Sequence, residues 1–121
     1  MERLEVSARM TVREGKLGGF RRQAAECIKQ TKEKDTKTLR YDWFLSNDET
    51  ECEIREAYRG SKGLVEHRMH VGDALEKLFS EFAEDHMVRV YGKPSPELLE
   101  MAKRMPEGSV RWYSFLQGLE S

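Results

Sequence analysis

The segment TLRYDWFLS-NDET-ECEIREAYR-GSKGLVEH, residues 38 to 67, decides the fold. Leu39, Tyr41, Trp43 and Leu45 alternate with their neighbours, which predicts a strand over Thr38–Ser46 with these four side chains on one face. Asn47-Asp48-Glu49-Thr50 supplies the polar residues of a short hairpin turn. Cys52, Ile54 and Tyr58 then share a face of a second strand, Glu51–Arg59. A helix starts near Gly60-Ser61, with Ser61 as its N-cap and His67 about two turns in. Tyr41, Asp42, Trp43, Glu56, Tyr58 and His67 put most of the chemically capable side chains in this one stretch.

Upstream, Leu4–Val12 alternates apolar and polar residues and predicts a half-buried strand. A helix follows over Leu17–Lys34, with Phe20, Ala24, Cys27, Ile28 and Thr31 on one narrow stripe. Gly18-Gly19 in its first turn serves either close approach of a neighbouring element or ligand, or no more than a loose helix start. The lysines at its end suit the helix dipole and form a solvated face. Downstream, Leu64, Val65, Arg68 and Met69 mark a short amphipathic helix, and Gly72-Asp73 reads as a break. A second helix restarts with Ala74, Leu75, Leu78, Phe79 and Phe82 and ends near His86, before a strand over Met87–Tyr91. Ser95-Pro96-Glu97 opens a further helix carrying Leu98, Leu99, Ala102 and Met105, and Val110–Leu116 reads as a last strand.

The order β-α-β-β-α(α)-β, with a helix and strand appended, predicts an α+β fold of the ferredoxin-like, split βαβ kind. It is read as one domain, with a core over residues 4–92 and an extension over 93–121. The sheet is expected to be antiparallel, with helices on one face. Glu5, Ser7, Arg9 and Thr11, with Glu53, Arg55 and Ala57, would occupy the open face, which is expected to pack on a second copy as a twofold homodimer.

Charged residues make up 36% of the chain, but 21 basic residues against 22 acidic ones leave no excess for a nucleic-acid backbone or an acidic tail. Cys27 and Cys52, without CxxC spacing, read as reduced, half-buried thiols of a reducing compartment. Met1-Glu2-Arg3-Leu4-Glu5 has no apolar core of a signal peptide, and no run approaches the ~20 apolar residues of a membrane span. The expected setting is cytoplasmic, away from membranes.

Leu39-Arg40-Tyr41-Asp42 opening one strand, Glu56-Ala57-Tyr58 closing the next, and Ser61-Lys62-Gly63-Leu64-Val65-Glu66-His67 carry a resemblance. On these residues the chain resembles the antibiotic biosynthesis monooxygenase family of dimeric α/β-barrel proteins. That family shows Glu-x-Trp near the end of the strand and a helix His nine residues past the Trp. Tyr58 to His67 keeps the nine-residue spacing, with Tyr where Trp is usual. Gly92-Lys93-Pro94-Ser95-Pro96-Glu97 is similar to an extension found in part of the family.

The resemblance implies oxidation of an electron-rich hydroxyaromatic or quinol by O2 with no metal, flavin or other cofactor. Its haem-degrading branch uses a first-strand Asn and a Trp. This chain has Ser7, Arg9 and Tyr58 there, although His67 alone could ligate iron. A non-catalytic, ligand-binding or structural dimer on the same scaffold is the alternative.

Two roles are open to each candidate residue. His67 is a proton carrier or a helix histidine that ties down the sheet. Tyr58 orients a substrate hydroxyl or is a core aromatic with its OH tied to His67. Trp43 and Tyr41 wall an aromatic pocket or fill the core. Arg9 stabilises a phenolate or pairs with a glutamate of the second hairpin strand at the dimer interface. His67 and His70 share a helix face as half a metal site would, but without a convincing third ligand beyond Glu66 or Asp73, so no metal is expected. His86 reads as a histidine at a helix end, suited to the dipole.

Overall fold

The computed structural model describes residues 3–120; Met1 and Glu2, part of the segment read for a signal peptide, and Ser121 lie outside the described residues. The chain runs β1 (Arg3–Val12), α1 (Leu17–Lys34), β2 (Thr38–Leu45), β3 (Glu51–Arg59), α2 (Gly60–Glu81), β4 (Ala83–Tyr91), α3 (Pro96–Ala102) and β5 (Val110–Tyr113). The sheet order is β2-β3-β1-β4-β5. β1 is antiparallel to both β3 and β4, and the hairpin strand β2 is antiparallel to β3. This is the α+β, ferredoxin-like arrangement that the element order predicts.

The extension changes one expectation. β5 lies parallel to β4, so the five-stranded sheet is mixed rather than wholly antiparallel. Parallel neighbours need a crossover, which the α3 segment supplies. β5 is also shorter than the expected Val110–Leu116, ending at Tyr113. Helix α3 stops at Ala102, short of Met105. The sheet of one chain is open, not closed into a barrel, with β2 and β5 as its edges.

Helix α2 is one continuous helix of 22 residues, not two segments parted at Gly72-Asp73. Gly and Asp each weaken a helix by up to about 1 kcal/mol, but buried Val71, Ala74 and Leu75 anchor this stretch to the core. The helix ends at Glu81, and β4 begins at Ala83 instead of Met87. A bulge hides the start of that strand from period-2 reading. Thr11 pairs with Glu84 and Arg9 with Met87, so Asp85 and His86 together oppose Met10, and Asp85 takes φ +57°. His86 is thus a strand residue, not a helix end.

A second register shift between Thr38 and Arg40 takes Leu39 out of the face shared by Tyr41, Trp43 and Leu45, leaving it exposed. The helices cover one face of the sheet over two groups of buried apolar residues. One joins Met10, Phe20, Cys27, Ile54, Val71 and Leu78; the other joins Leu4, Val6, Tyr58, Leu64, Val90 and Leu98. Cys27 and Cys52 are free and fully buried, beyond the half-burial expected, and burial pushes both thiols up to about 12. No helix among the described residues is long and apolar enough to cross a membrane.

Candidate active site

Between the two apolar groups lies a cavity of about 70 Å³. Val6, Ile54, Leu64, Val88 and Val90 form apolar wall, while Tyr41, Glu56, His67, Arg68 and His86 carry its polar groups. Leu98, Met101, Met105, Val110 and Trp112 of the C-terminal extension close one side. Ala102, Met105, Val110 and Trp112 also line a separate outer groove of about 840 Å³ on the far side of the extension.

His67 is positioned by the turn from β3 into α2. Gly60 takes φ +74° there, a left-handed conformation that other residues enter at a cost. Gly63 then lets α2 lie close on the sheet, since a Cβ would come within 3.0 Å of the Lys37 carbonyl and of the Tyr58 Cβ. The ring of His67 is 1% exposed. Its Nδ1 lies 2.8 Å from Oδ2 of Asp35, whose side chain is 2% exposed. Asp35 caps the C-terminus of α1 in extended conformation, which turns its carboxylate onto α2.

Thr38 donates its hydroxyl to the same Asp35 oxygen at 2.5 Å, and His70 Nδ1 lies 2.6 Å from Oδ1. Burial pulls the Asp35 carboxyl up, but the Thr38, His70 and His67 hydrogen bonds outweigh it and hold it below its ordinary value. Burial lowers the His67 pKa, against the opposing pull of Asp35. The pair is therefore a carboxylate and a neutral imidazole. Asp35 only accepts, so Nδ1–H of His67 donates to it and Nε2 carries the free lone pair. That nitrogen has no protein hydrogen-bond partner among the described residues, and His67 lines the cavity.

Glu56 is the cavity's carboxyl group. Burial pushes it up to about 7, against the lowering effects of the Tyr58 hydroxyl and the Arg68 charge. Tyr58 donates its hydroxyl to Oε1 of Glu56 and is completely buried. Burial, then the neighbouring Glu56, raises the Tyr58 pKa well above its ordinary value, so the phenol stays protonated. The Tyr41 hydroxyl is buried without a partner among the described residues, and its ring packs edge-on against His67 with centroids 4.5 Å apart. Strand alternation puts His86 on the helix-covered side with Val88 and Val90, where it stacks on Phe79 at 4.1 Å. Burial lowers the pKa of His86 to about 4.

The structure thus brings His67 and Tyr41 to the cavity and places Tyr58 behind Glu56, where it neither lines the cavity nor bonds His67. Trp43 stands apart, packed against Phe20 and Tyr41 under α1. Arg9 is on the opposite face of the sheet, paired with Glu51 of its own chain. Sequence reading left Asp35, Arg68 and the cavity role of Glu56 unassigned. Asp35, Glu66 and His70 bring ligand atoms within 4.8 Å of one another. The Glu66 oxygens already accept from Thr36, and the Asp35 oxygens from Thr38 and the two histidines, so hydrogen bonds account for this cluster.

No protein-family model matches the chain, and no curated protein matches it. Solved structures do. MupZ from Pseudomonas fluorescens is 19% identical, with 100% of this chain and 96% of that one covered at a TM-score of 0.80. Two proteins put forward as antibiotic biosynthesis monooxygenases also match. The one from Nitrosomonas europaea is 20% identical (78% of this chain, 93% of that one, TM-score 0.67). The one from Caulobacter crescentus is 17% identical (74% of this chain, 87% of that one, TM-score 0.67). At these identities the likeness is one of fold. The whole architecture, extension included, recurs in MupZ.

Proposed function

We propose that this chain, built on the fold seen in the antibiotic biosynthesis monooxygenase structures, oxidises a small hydroxyaromatic or quinol with O2 and no cofactor. The observation that carries the reading is His67: a neutral, Asp35-oriented imidazole in the lining of an apolar cavity, its Nε2 without a protein partner among the described residues. In such a site His67 removes the proton of a hydroxyl or an activated C–H, which leaves an electron-rich anion. For a phenol the balanced outcome is ArOH + O2 → quinone + H2O, with one oxygen atom in the new carbonyl and the other in water. The electrons come from the substrate. Glu56, near half-protonated at neutral pH, can return a proton to the departing oxygen. The apolar walls and the extension keep water from that anion. The reacting ring belongs in the inner cavity, beside His67 and Glu56.

The working form is a homodimer through the open face. Exposed Phe44, Met87 and Tyr91 favour that contact. The charges of this face are already matched within the chain, as in the pairs Arg9–Glu51 and Arg40–Asp42.

Two substitutions separate catalysis from binding alone. Asp35→Asn removes the charge that orients His67, and Tyr58→Phe removes the hydroxyl that holds Glu56. Each is expected to lower kcat by about 10²-fold or more while the Kd for ligand stays within a few-fold. Equal losses in turnover and affinity, or no loss in either, would mean that Asp35 and Tyr58 take no part in the chemistry.

A further inference from the structure

Arg68 is the cavity's one cation in an otherwise nearly uncharged lining, among the described residues. It projects from α2 one residue beyond His67 and shares the cavity with Tyr41, Glu56 and His86. No carboxylate oxygen among the described residues lies within 4 Å of its guanidinium. Among the described residues its one side-chain hydrogen bond is a weak one, from Nη2 to the Met105 sulfur at 3.7 Å. This contrasts with arginines 3, 9, 21 and 40, each of which faces a carboxylate. A half-buried guanidinium has five rigid donors, and leaving them unanswered beside apolar walls is costly.

The other polar groups do not answer it. His67 and His86 are neutral, and the single lining carboxylate, Glu56, already accepts from Tyr58 and is only partly ionised near neutral pH. The empty lining therefore carries a surplus positive charge inside a low-dielectric cavity.

We infer that the cavity is an anion site in which Arg68 holds the anionic oxygen of a small apolar ligand, a phenolate or a ring carboxylate. The inference rests in part on the oxidation reading, since a phenolate is what His67 would generate. It narrows the substrate class to ligands that carry or acquire one negative oxygen beside the ring. It also moves to Arg68 the phenolate-stabilising role expected of Arg9, which faces away. The guanidinium binds and orients; His67 moves the proton.

Direct binding tests this without turnover. Titration with benzoate and its neutral isostere benzamide reads the carboxylate arm. The visible absorbance of bound 4-nitrophenol against pH reads the phenolate arm. The wild-type chain is expected to bind benzoate about tenfold or more tighter than benzamide, or to lower the apparent pKa of 4-nitrophenol by about one unit. Which arm responds distinguishes the carboxylate from the phenolate. Arg68→Gln and Arg68→Met should abolish the response, and Arg68→Lys should restore part of it, with unchanged circular dichroism certifying each fold. Equal affinity for benzoate and benzamide together with an unshifted nitrophenol would overturn the inference, as would a response that survives Arg68→Gln. Anion binding without oxygen consumption would sink only the oxidation reading. Oxygen consumption without anion preference would sink only this one.

Discussion

At the scale of single residues, the account turns on how burial sets proton affinities. Glu56 moves from an ordinary 4.5 to about 7, so between those values the folded chain binds more protons than the unfolded chain. Its contribution to stability therefore falls as pH rises through that window. Glu56→Gln keeps an acceptor for Tyr58 and removes the titration. The variant should match wild type near pH 4.5 and exceed it increasingly toward pH 8, by up to about 3 kcal/mol, in urea melts across that range. His67 has the opposite sign: its lowered pKa makes stability fall as pH drops below the ordinary histidine value. His67 and Tyr41 were legible because strand alternation and helix spacing place them on inward faces. Asp35 was not. It lies 32 residues from His67 in sequence, within a lysine-rich helix end that reads as solvated surface. Arg68 was legible as a helix residue only, since no pattern tells a cavity arginine from a surface one.

At the scale of elements, the first turn of α1 gives a paired test. A Cβ on Gly19 would stand 2.2 Å from the Phe82 ring, whereas one on Gly18 would meet nothing nearer than Arg22 Nη1 at 3.6 Å. Of the two readings of this pair, close approach of a neighbouring element is the one realised, and only at Gly19. Gly18→Ala should raise stability by up to about 1 kcal/mol through helix propensity. Gly19→Ala should lower it by about 1–3 kcal/mol through overpacking. Denaturant midpoints of the two variants check both signs. The misread boundaries share a cause. Tertiary contacts carry α2 through Gly72-Asp73, and the bulge at Asp85-His86 breaks the alternation that would have revealed the start of β4. His86 of that strand nevertheless lines the cavity, so the least legible strand is one that builds the site.

At the scale of the whole molecule, the order of elements was enough to name the ferredoxin-like arrangement, because each β-α-β connection leaves few ways to pair strands. It was not enough to orient β5, whose direction depends on how α3 packs over the sheet. An open sheet with exposed Phe44, Met87 and Tyr91 should pair with a second copy. Light scattering after size exclusion is expected to give twice the 14.1 kDa chain mass, and Phe44→Glu with Met87→Glu should shift the mass to that of one chain. The claim that unites these scales is that His67 works as a base for oxygen chemistry. The measurement that tests it most directly is oxygen uptake by metal-stripped protein against a panel of hydroquinones, naphthols and anthrones, beside the His67→Ala variant. The account predicts uptake above the uncatalysed rate for at least one panel member, reduced about 10²-fold or more in the variant. Uptake no faster than in buffer across the panel by folded protein, or equal uptake by His67→Ala, would contradict it.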